Sequence, residues 1–176
     1  MEAKDVIQLL RLQRHDLMND MQIVHGYLSM GKTEKVKAKV SDIIEAFNQE
    51  RLLMNINCPK FALWLIQLKW LHNNIRFTYD IHTEIGDLEA YDDILTNLGH
   101  VIIESLLEVT HDSLQLIEGM LQLKASQESI DVITTINGQT IDRDELKTTL
   151  RNKVNDISIQ VTESDADVVY VFSIPA

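Results

Sequence analysis

His15 is the residue of this chain that is best suited to carry out chemistry. It lies in the segment RLQRHDLMND (residues 11–20), where polar residues flank a histidine within a helical pattern. An imidazole has an unperturbed pKa of about 6.5, so near neutral pH it is mostly neutral and nucleophilic. Such a side chain can accept a phosphoryl group when another protein can reach it. Taken alone, however, a surface histidine on a helix is usually only a solvated side chain.

The neighbours of His15 could assist that chemistry. Asp16 adjoins it, and a carboxylate can hold the proton of one ring nitrogen while the other nitrogen attacks. Arg14, or Arg11 one turn earlier, could offset charge on a transferring phosphoryl group. Asn19 could orient that group or contact a partner. We therefore predict a catalytic set of His15, Asp16, Arg14 and Asn19.

Helical geometry predicts an outward face around His15. At about 100° per residue, the positions nearest to it are polar or small. These positions are Arg11, Asn19, Gln22, Gly26 and Ser29. The face is displaced from the apolar side of the helix, so His15 is expected on a flank instead of in a core. We expect a partner to dock on Arg11, Met18, Gln22, Gly26 and Ser29.

Two long helical patterns open the chain and must position this face. The first has a seam with alternating spacings of three and four residues, formed by Ile7, Leu10, Arg14, Leu17, Met21, Val24 and Leu28. Gly31 then ends the helix, and a second pattern runs from Val36 to Met54. Such a hairpin has too little inner surface to bury a core alone, so we predict a homodimer that forms a four-helix bundle. The alternative is that the hairpin packs on its own C-terminal half.

A second domain is predicted to follow the hairpin. Cys58 and Pro59 place the boundary between residues 1–57 and 58–176, because proline suits the first turn of a new helix. Helical patterns lie near residues 60–73, 91–111 and 141–153, and strand patterns lie near 75–85, 119–125, 129–137, 156–162 and 168–174. This order predicts an α+β fold with a sheet that carries helices on one face.

Composition argues against several functional classes. The 176 residues include 16 basic and 27 acidic side chains, and the net charge of −11 disfavours a nucleic-acid or anionic membrane surface. No stretch approaches the roughly 18 consecutive apolar residues of a membrane span, and the N-terminus lacks the pattern of a signal peptide. A single cysteine excludes an intrachain disulfide. We therefore expect a cytoplasmic protein that binds other proteins, and neither nucleic acid nor a membrane.

The segment around His15 resembles a known phosphoacceptor motif. Residues 14–31, RHDLMNDMQIVHGYLSMG, resemble the pattern R-H-D-x-x-N-x-x-Q-x-x-x-G-x-x-x-x-G of the sporulation initiation phosphotransferase B family and of the related citrate-type sensor kinases. The matching positions are Arg14, His15, Asp16, Asn19, Gln22, Gly26 and Gly31. The resemblance implies a dimerisation hairpin followed by a small α/β domain that is similar to a degenerate kinase ATP-binding domain.

The resemblance also implies a reaction. In this family the histidine takes a phosphoryl group from the phosphoaspartate of one response regulator and passes it to the aspartate of a second, in the initiation of sporulation. His15 would be the phosphohistidine here, and two receiver domains would be the partners. Magnesium would come with the response regulator, and no cofactor is expected on this chain. No metal site is expected either, since the other histidines lack the spacing of zinc ligands.

A kinase of this class would also need glycine-rich nucleotide loops. The six glycines never form G-x-G, and the pattern DILTNLGHVIIESLLEV (residues 93–109) only faintly resembles the kinase asparagine helix through Asn97 and Glu104. These features favour a phosphotransferase that does not use ATP. Two alternatives stay open. One is a degenerate sensor histidine kinase that still uses ATP, and the other is a non-catalytic dimeric binding module or antagonist of a two-component system.

Overall fold

The computed structural model describes residues 2–72, 74–84, 86–110, 115–137, 141–154, 157–163 and 167–176. The chain divides into two compact units. The hairpin unit is Met1–Arg51, and the α/β unit is Leu52–Ala176. Helix α1 spans Ala3–Ser29 and helix α2 spans Thr33–Asn55, so α2 begins in the first unit and ends in the second.

Helix α1 begins and ends where local chemistry allows it. At its start, the backbone N–H of Glu2 donates to Asp5 Oδ2 at 2.9 Å, which is half of a capping box. At its end, the N–H of Met30 donates to the carbonyl of Gly26, and Gly31 adopts a φ of 68°. Glycine tolerates this left-handed conformation, so the predicted stop at Gly31 is confirmed.

Polar contacts tie the two helices of the hairpin together. Gln13 Nε2 donates to Glu50 Oε1 at 3.2 Å, and Lys39 Nζ pairs with Asp20 Oδ1 at 2.7 Å. Ile43 is buried, whereas α1 has no buried residue at all. The contact between the helices is therefore partly polar and leaves most apolar side chains of α1 outside it.

The apolar seam predicted for the hairpin lies open to solvent. On α1 its exposed members are Ile7, Leu10, Leu17, Met21 and Leu28. On α2 the exposed apolar residues include Val40, Ile44, Phe47 and Met54. Each of these side chains is at least 36% exposed. A run of this kind, repeated at helical spacing, is typical of a surface that another helix covers.

The α/β unit has three further helices and a five-stranded sheet. The helices are α3 (Pro59–Leu71), α4 (Asp92–Val109) and α5 (Arg143–Lys153), with a short 3-10 helix at Glu89–Tyr91. The strands are β1 (Ile75–Thr83), β2 (Ile117–Ala125), β3 (Ser129–Asn137), β4 (Ser158–Glu163) and β5 (Asp167–Pro175). The predicted α+β class is confirmed. Predicted positions 73, 85, 111 and 156 lie outside the described residues.

The sheet buries one face and leaves the other partly exposed. Its order is β1-β2-β3-β5-β4, with β1 parallel to β2 and the remaining pairs antiparallel. Every second residue of β3 and β5 is buried, and Val132 on β3 lies opposite Phe172 on β5. Because successive strand residues point to opposite faces, this alternation shows that one face carries the core.

The start of the α/β unit is fixed by its own contacts. Leu53 and Ile56, in and just after the last turn of α2, are buried in the core of this unit. The predicted break at Cys58 and Pro59 is the place where α3 begins. Asp92, the first residue of α4, accepts hydrogen bonds from the backbone N–H groups of Lys60 (3.1 Å) and of Phe61 (2.8 Å). It therefore caps the amino end of α3.

Among the described residues, none of the helices is long and apolar enough to cross a membrane.

Candidate functional site

His15 lies in the middle of α1 with its ring in solvent. Its side chain is 71% exposed. Nδ1 is 3.5 Å from Asp16 Oδ1 and 3.4 Å from Asn19 Nδ2. Within the described part of the chain, no hydrogen bond engages Nε2. The arrangement holds one ring nitrogen and leaves the other accessible.

The two contacts at Nδ1 constrain the protonation of the ring. A carboxylate can only accept, so the contact with Asp16 requires the proton on Nδ1. The amide nitrogen of Asn19 only donates, but the amide oxygen and nitrogen exchange places when the group rotates by half a turn. With its oxygen toward Nδ1, Asn19 fits the same tautomer as Asp16. Both residues then favour a ring whose Nε2 carries a free lone pair.

Asp16 lies on the flank of α1 that faces α2. Its side chain is 37% exposed, about half the exposure of His15. Asp20 follows one turn later on the same flank and is held by Lys39 of α2. The helix–helix contact therefore restricts the surroundings of this flank, whereas the face of His15 points away from α2.

The other predicted site residues lie along α1, and the described hydrogen bonds and ion pairs of the imidazole do not include them. Arg11, Arg14, Met18 and Gln22 are exposed, and Gly26 is half-buried. Among the described hydrogen bonds and ion pairs, none joins either arginine to His15. Ser29 is also exposed, and its hydroxyl donates to the carbonyl of His25 at 2.9 Å. The structure thus brings Asp16 and Asn19 to His15 and places the remaining residues as a surface around it.

Three features near the site were not found from the sequence. The contacts Gln13–Glu50 and Asp20–Lys39 depend on how α1 and α2 are aligned, which neither helix shows by itself. Ile23 is 44% exposed but lies outside the seam. The signal for Ile23 was present in the sequence, because an aliphatic residue off the seam of an amphipathic helix is expected on the surface.

The two units differ in net charge. Residues 1–51 contain eight basic and eight acidic side chains, so the hairpin unit is neutral. Residues 52–176 contain eight basic and 19 acidic side chains, and they hold the whole net charge of −11. A negatively charged molecule that approaches the hairpin unit would therefore meet no net repulsion from it.

The helix with a faint kinase pattern uses its glycine for packing. A Cβ atom at Gly99 of α4 would overlap the ring of Trp64 on α3. Gly99 is therefore accounted for by helix packing. Asn97 and Glu104 of the same helix are exposed.

In the part of the chain that the structure describes, no group of three or more His, Cys, Asp or Glu side chains could hold a metal ion.

Comparison with known families assigns the hairpin. Residues 1–56 match the family model described as sensor kinase SpoOB-type, alpha-helical domain. The helical hairpin is therefore similar to the SpoOB-type family over these residues. The match includes His15 and both helices, and it confirms the resemblance drawn from residues 14–31.

One curated relative extends the match beyond the SpoOB-type hairpin. Sporulation initiation phosphotransferase B of Bacillus subtilis (strain 168) is 31% identical over 96 residues, which are 54% of this chain and 50% of that protein. The matched part of this chain therefore spans about half the length of this curated relative.

The solved structures that show some similarity to this chain include histidine kinase domains. The catalytic domain of histidine kinase ThkA is 16% identical, with 71% of this chain and 90% of that chain covered and a TM-score of 0.39. The histidine kinase domain of the blue-light activated histidine kinase from Erythrobacter litoralis EL346 is 14% identical, with 66% and 60% covered and a TM-score of 0.44.

Proposed function

We propose that this chain is a phosphorelay phosphotransferase of two-component signalling, with His15 as the phosphoryl carrier. It takes the group from the phosphoaspartate of one response regulator and passes it to the aspartate of a second, in the initiation of sporulation. The observation that carries the proposal is an exposed imidazole, held at Nδ1 by Asp16 and Asn19, on a SpoOB-type hairpin. The name of the Bacillus relative supports the same class of reaction.

The geometry of the ring supports the following transfer step. With the Nδ1 proton held by Asp16, the lone pair of Nε2 attacks the phosphorus of the acyl phosphate. A P–N bond forms while the P–O bond to the partner's aspartate breaks, and that carboxylate leaves with the bonding electrons. The second transfer reverses these bond changes on another receiver. No proton has to move, and the loose transition state makes positioning the main task.

Positive charge near the transferring phosphoryl group would come from this chain and from the receiver domain. Arg14 and Arg11, which are exposed on the same helix, would approach the phosphoryl oxygens once a receiver docks. Asn19 would keep the ring oriented or contact the transferring group. We propose that magnesium is supplied by the receiver domain and that this chain binds no cofactor of its own. The chemistry then needs no ATP.

The open seam supports a homodimer. The apolar residues of α1 and α2 that stay exposed lie at helical spacing on one side of the hairpin. Two copies that cover these surfaces would form a four-helix bundle. His15 lies about 120° around α1 from Met21 of the seam, so it would remain on the outer flank of that bundle. The assembly would be cytoplasmic and would offer one docking face per hairpin.

The test is transfer without ATP. Receiver domains from the same organism are labelled with radioactive acetyl phosphate, freed of the small molecule and mixed with wild type, His15→Gln and His25→Gln. His25 is a matched control because it is an exposed histidine on the same helix. We expect acid-labile label on wild type and on His25→Gln only. Absence of label from a folded dimer across the complete set of receivers would refute the proposal.

A further inference from the structure

Ile23 is an exposed aliphatic side chain that the seam does not use. It lies about 160° around α1 from Met21 of the seam, by the helical angle of about 100° per residue. A second copy that covers the seam would therefore leave Ile23 uncovered. Ile23 is also 44% exposed in the folded hairpin, so α2 does not bury it.

Ile23 is placed beside the face of His15. It follows His15 by eight residues, which is about 12 Å along the helix and about 80° around it. On its other side are Asp20, which pairs with Lys39, and Tyr27, which contacts Lys35 through its ring. The side chain thus lies at the edge of the groove between α1 and α2, on the same side as the imidazole.

Gly26 lies on the next turn, and none of the described residues packs against the position of its missing side chain. A Cβ atom there would meet nothing within 4 Å. Glycine inside a helix is less favourable than alanine by about 1 kcal/mol, and here no neighbouring atom requires it. Its missing side chain leaves a shallow depression next to Ile23. Such a depression lets the surface of another molecule approach the helix closely.

The area that a docked protein covers indicates which molecule would bind this surface. A partner of ordinary size covers about 800 Å², which is a patch about 16 Å in radius. A receiver whose contact is centred between His15 and Ile23 would therefore have both residues well inside its edge and would cover Gly26 as well. On the other side of His15 the same face carries Gln8 and Arg11, which suit a polar rim. Apolar anchors near the middle of an interface contribute most of its binding energy.

We infer that Ile23, with the depression at Gly26 beside it, is the anchor at which a phosphorylated receiver domain docks for transfer to His15. The inference rests on the proposed function and adds the residue that sets affinity for the receiver. Ile23 is a binding residue, and it takes no part in the reaction at the imidazole.

The experiment separates docking from chemistry. Transfer from receiver domains labelled with acetyl phosphate is measured at several receiver concentrations for wild type, Ile23→Ala, Gly26→Ala and Leu52→Ala. Leu52 is an exposed aliphatic residue near the end of α2 and serves as the matched control. Each variant is also labelled with phosphoramidate, a small donor that needs no docking surface, and its dimer mass is measured by sedimentation.

We expect Ile23→Ala to raise the KM for the receiver about tenfold, as loss of an interface anchor does, with kcat changed less than twofold. Gly26→Ala should raise both Tm and KM, because alanine suits the helix but fills the depression. Leu52→Ala and all phosphoramidate rates should match wild type. An unchanged KM for Ile23→Ala, or an altered dimer or phosphoramidate rate, overturns the inference while wild-type transfer preserves the proposed function. Absence of wild-type transfer overturns both.

Discussion

Replacement of Asp16 by asparagine tests the role of the tautomer. Asp16 Oδ1 lies 3.5 Å from His15 Nδ1, beyond the usual range of a strong N–H···O bond, and the two side chains are 37% and 71% exposed. Two unit charges at that distance interact by about 1 kcal/mol in water and about 5 kcal/mol at an effective dielectric constant of 20. Solvent screening brings a half-exposed pair near the lower value. We therefore assign Asp16 about 1–2 kcal/mol of transition-state stabilisation.

This magnitude predicts a partial loss of rate. Asp16→Asn should slow single-turnover transfer to His15 roughly 5–30-fold, since each 1.4 kcal/mol corresponds to a factor of about ten. The KM for the receiver should stay near that of wild type, because the change acts on the ring and not on the docking surface. Rapid-quench measurement of label on the protein gives both constants.

A neighbouring carboxylate supplies the control. Asp20→Asn removes a negative charge one turn away but alters the contact with Lys39 instead of His15, so its transfer rate should equal that of wild type. A rate for Asp16→Asn within twofold of wild type would refute the reasoning about the tautomer. Complete inactivity, equal to that of His15→Gln, would also refute it, because the carboxylate would then do more than hold a proton.

The other predictions concern assembly and stability. Phe47→Asp, at a position 51% exposed on the seam side of α2, should convert the proposed dimer to monomer in sedimentation. Thr134→Val should raise the free energy of unfolding by about 1 kcal/mol in urea, because the Thr134 hydroxyl is buried with no hydrogen-bond partner among the described residues. Burial raises the pKa of Cys58 to about 12, so its thiol should resist thiol reagents at pH 9 until the chain unfolds. The folded state holds the thiol proton more tightly than the unfolded chain. The stability that this difference contributes to folding is therefore present below pH 9 and is lost as the pH rises toward 12.

Each of these outcomes has a clear opposite. A dimer that survives Phe47→Asp would show that the open seam is not the association surface. A destabilised Thr134→Val would mean that the hydroxyl has a partner such as an internal water. Rapid reaction of native Cys58 would contradict its burial and its hydrogen bond to the carbonyl of Leu88 at 3.0 Å. Ile43→Asp, at a buried position within the hairpin, is a control for unfolding in the sedimentation experiment.

Local periodicity accounts for what the sequence could predict about the fold. The buried residues of β3 and β5 alternate strictly, so both strands are visible as patterns of period two. Gly31 ends α1 because its positive φ is a local property. The position of β5 between β3 and β4, and the parallel pairing of β1 with β2, are long-range facts that no short segment encodes.

The candidate site divides in the same way. The contact of Asn19 with His15 joins residues four positions apart on one helix, so helical geometry predicts it. Adjacent residues of a helix do not face each other, so the 3.5 Å contact of Asp16 with His15 depends on how the two side chains are rotated. The contacts between Asp20 and Lys39 and between Gln13 and Glu50 depend on the alignment of two helices and were not predicted. Ile23 was not predicted as part of the site, because a single apolar residue outside the seam produces no periodic pattern in the sequence. The roles of Arg11 and Arg14 stay predictions.

The separation of charge between the two units has a consequence for ionic strength. At about 0.15 M salt the Debye length is near 8 Å, so acidic side chains spread over the surface of the α/β unit still repel their neighbours. Added salt weakens this repulsion in residues 52–176, whereas the balanced charges of residues 1–51 leave little for salt to relieve. The stability of residues 1–51 and that of residues 52–176 would therefore respond differently to the same change in salt concentration. A fall in salt concentration would lower the stability of residues 52–176 more than that of residues 1–51, which carry His15.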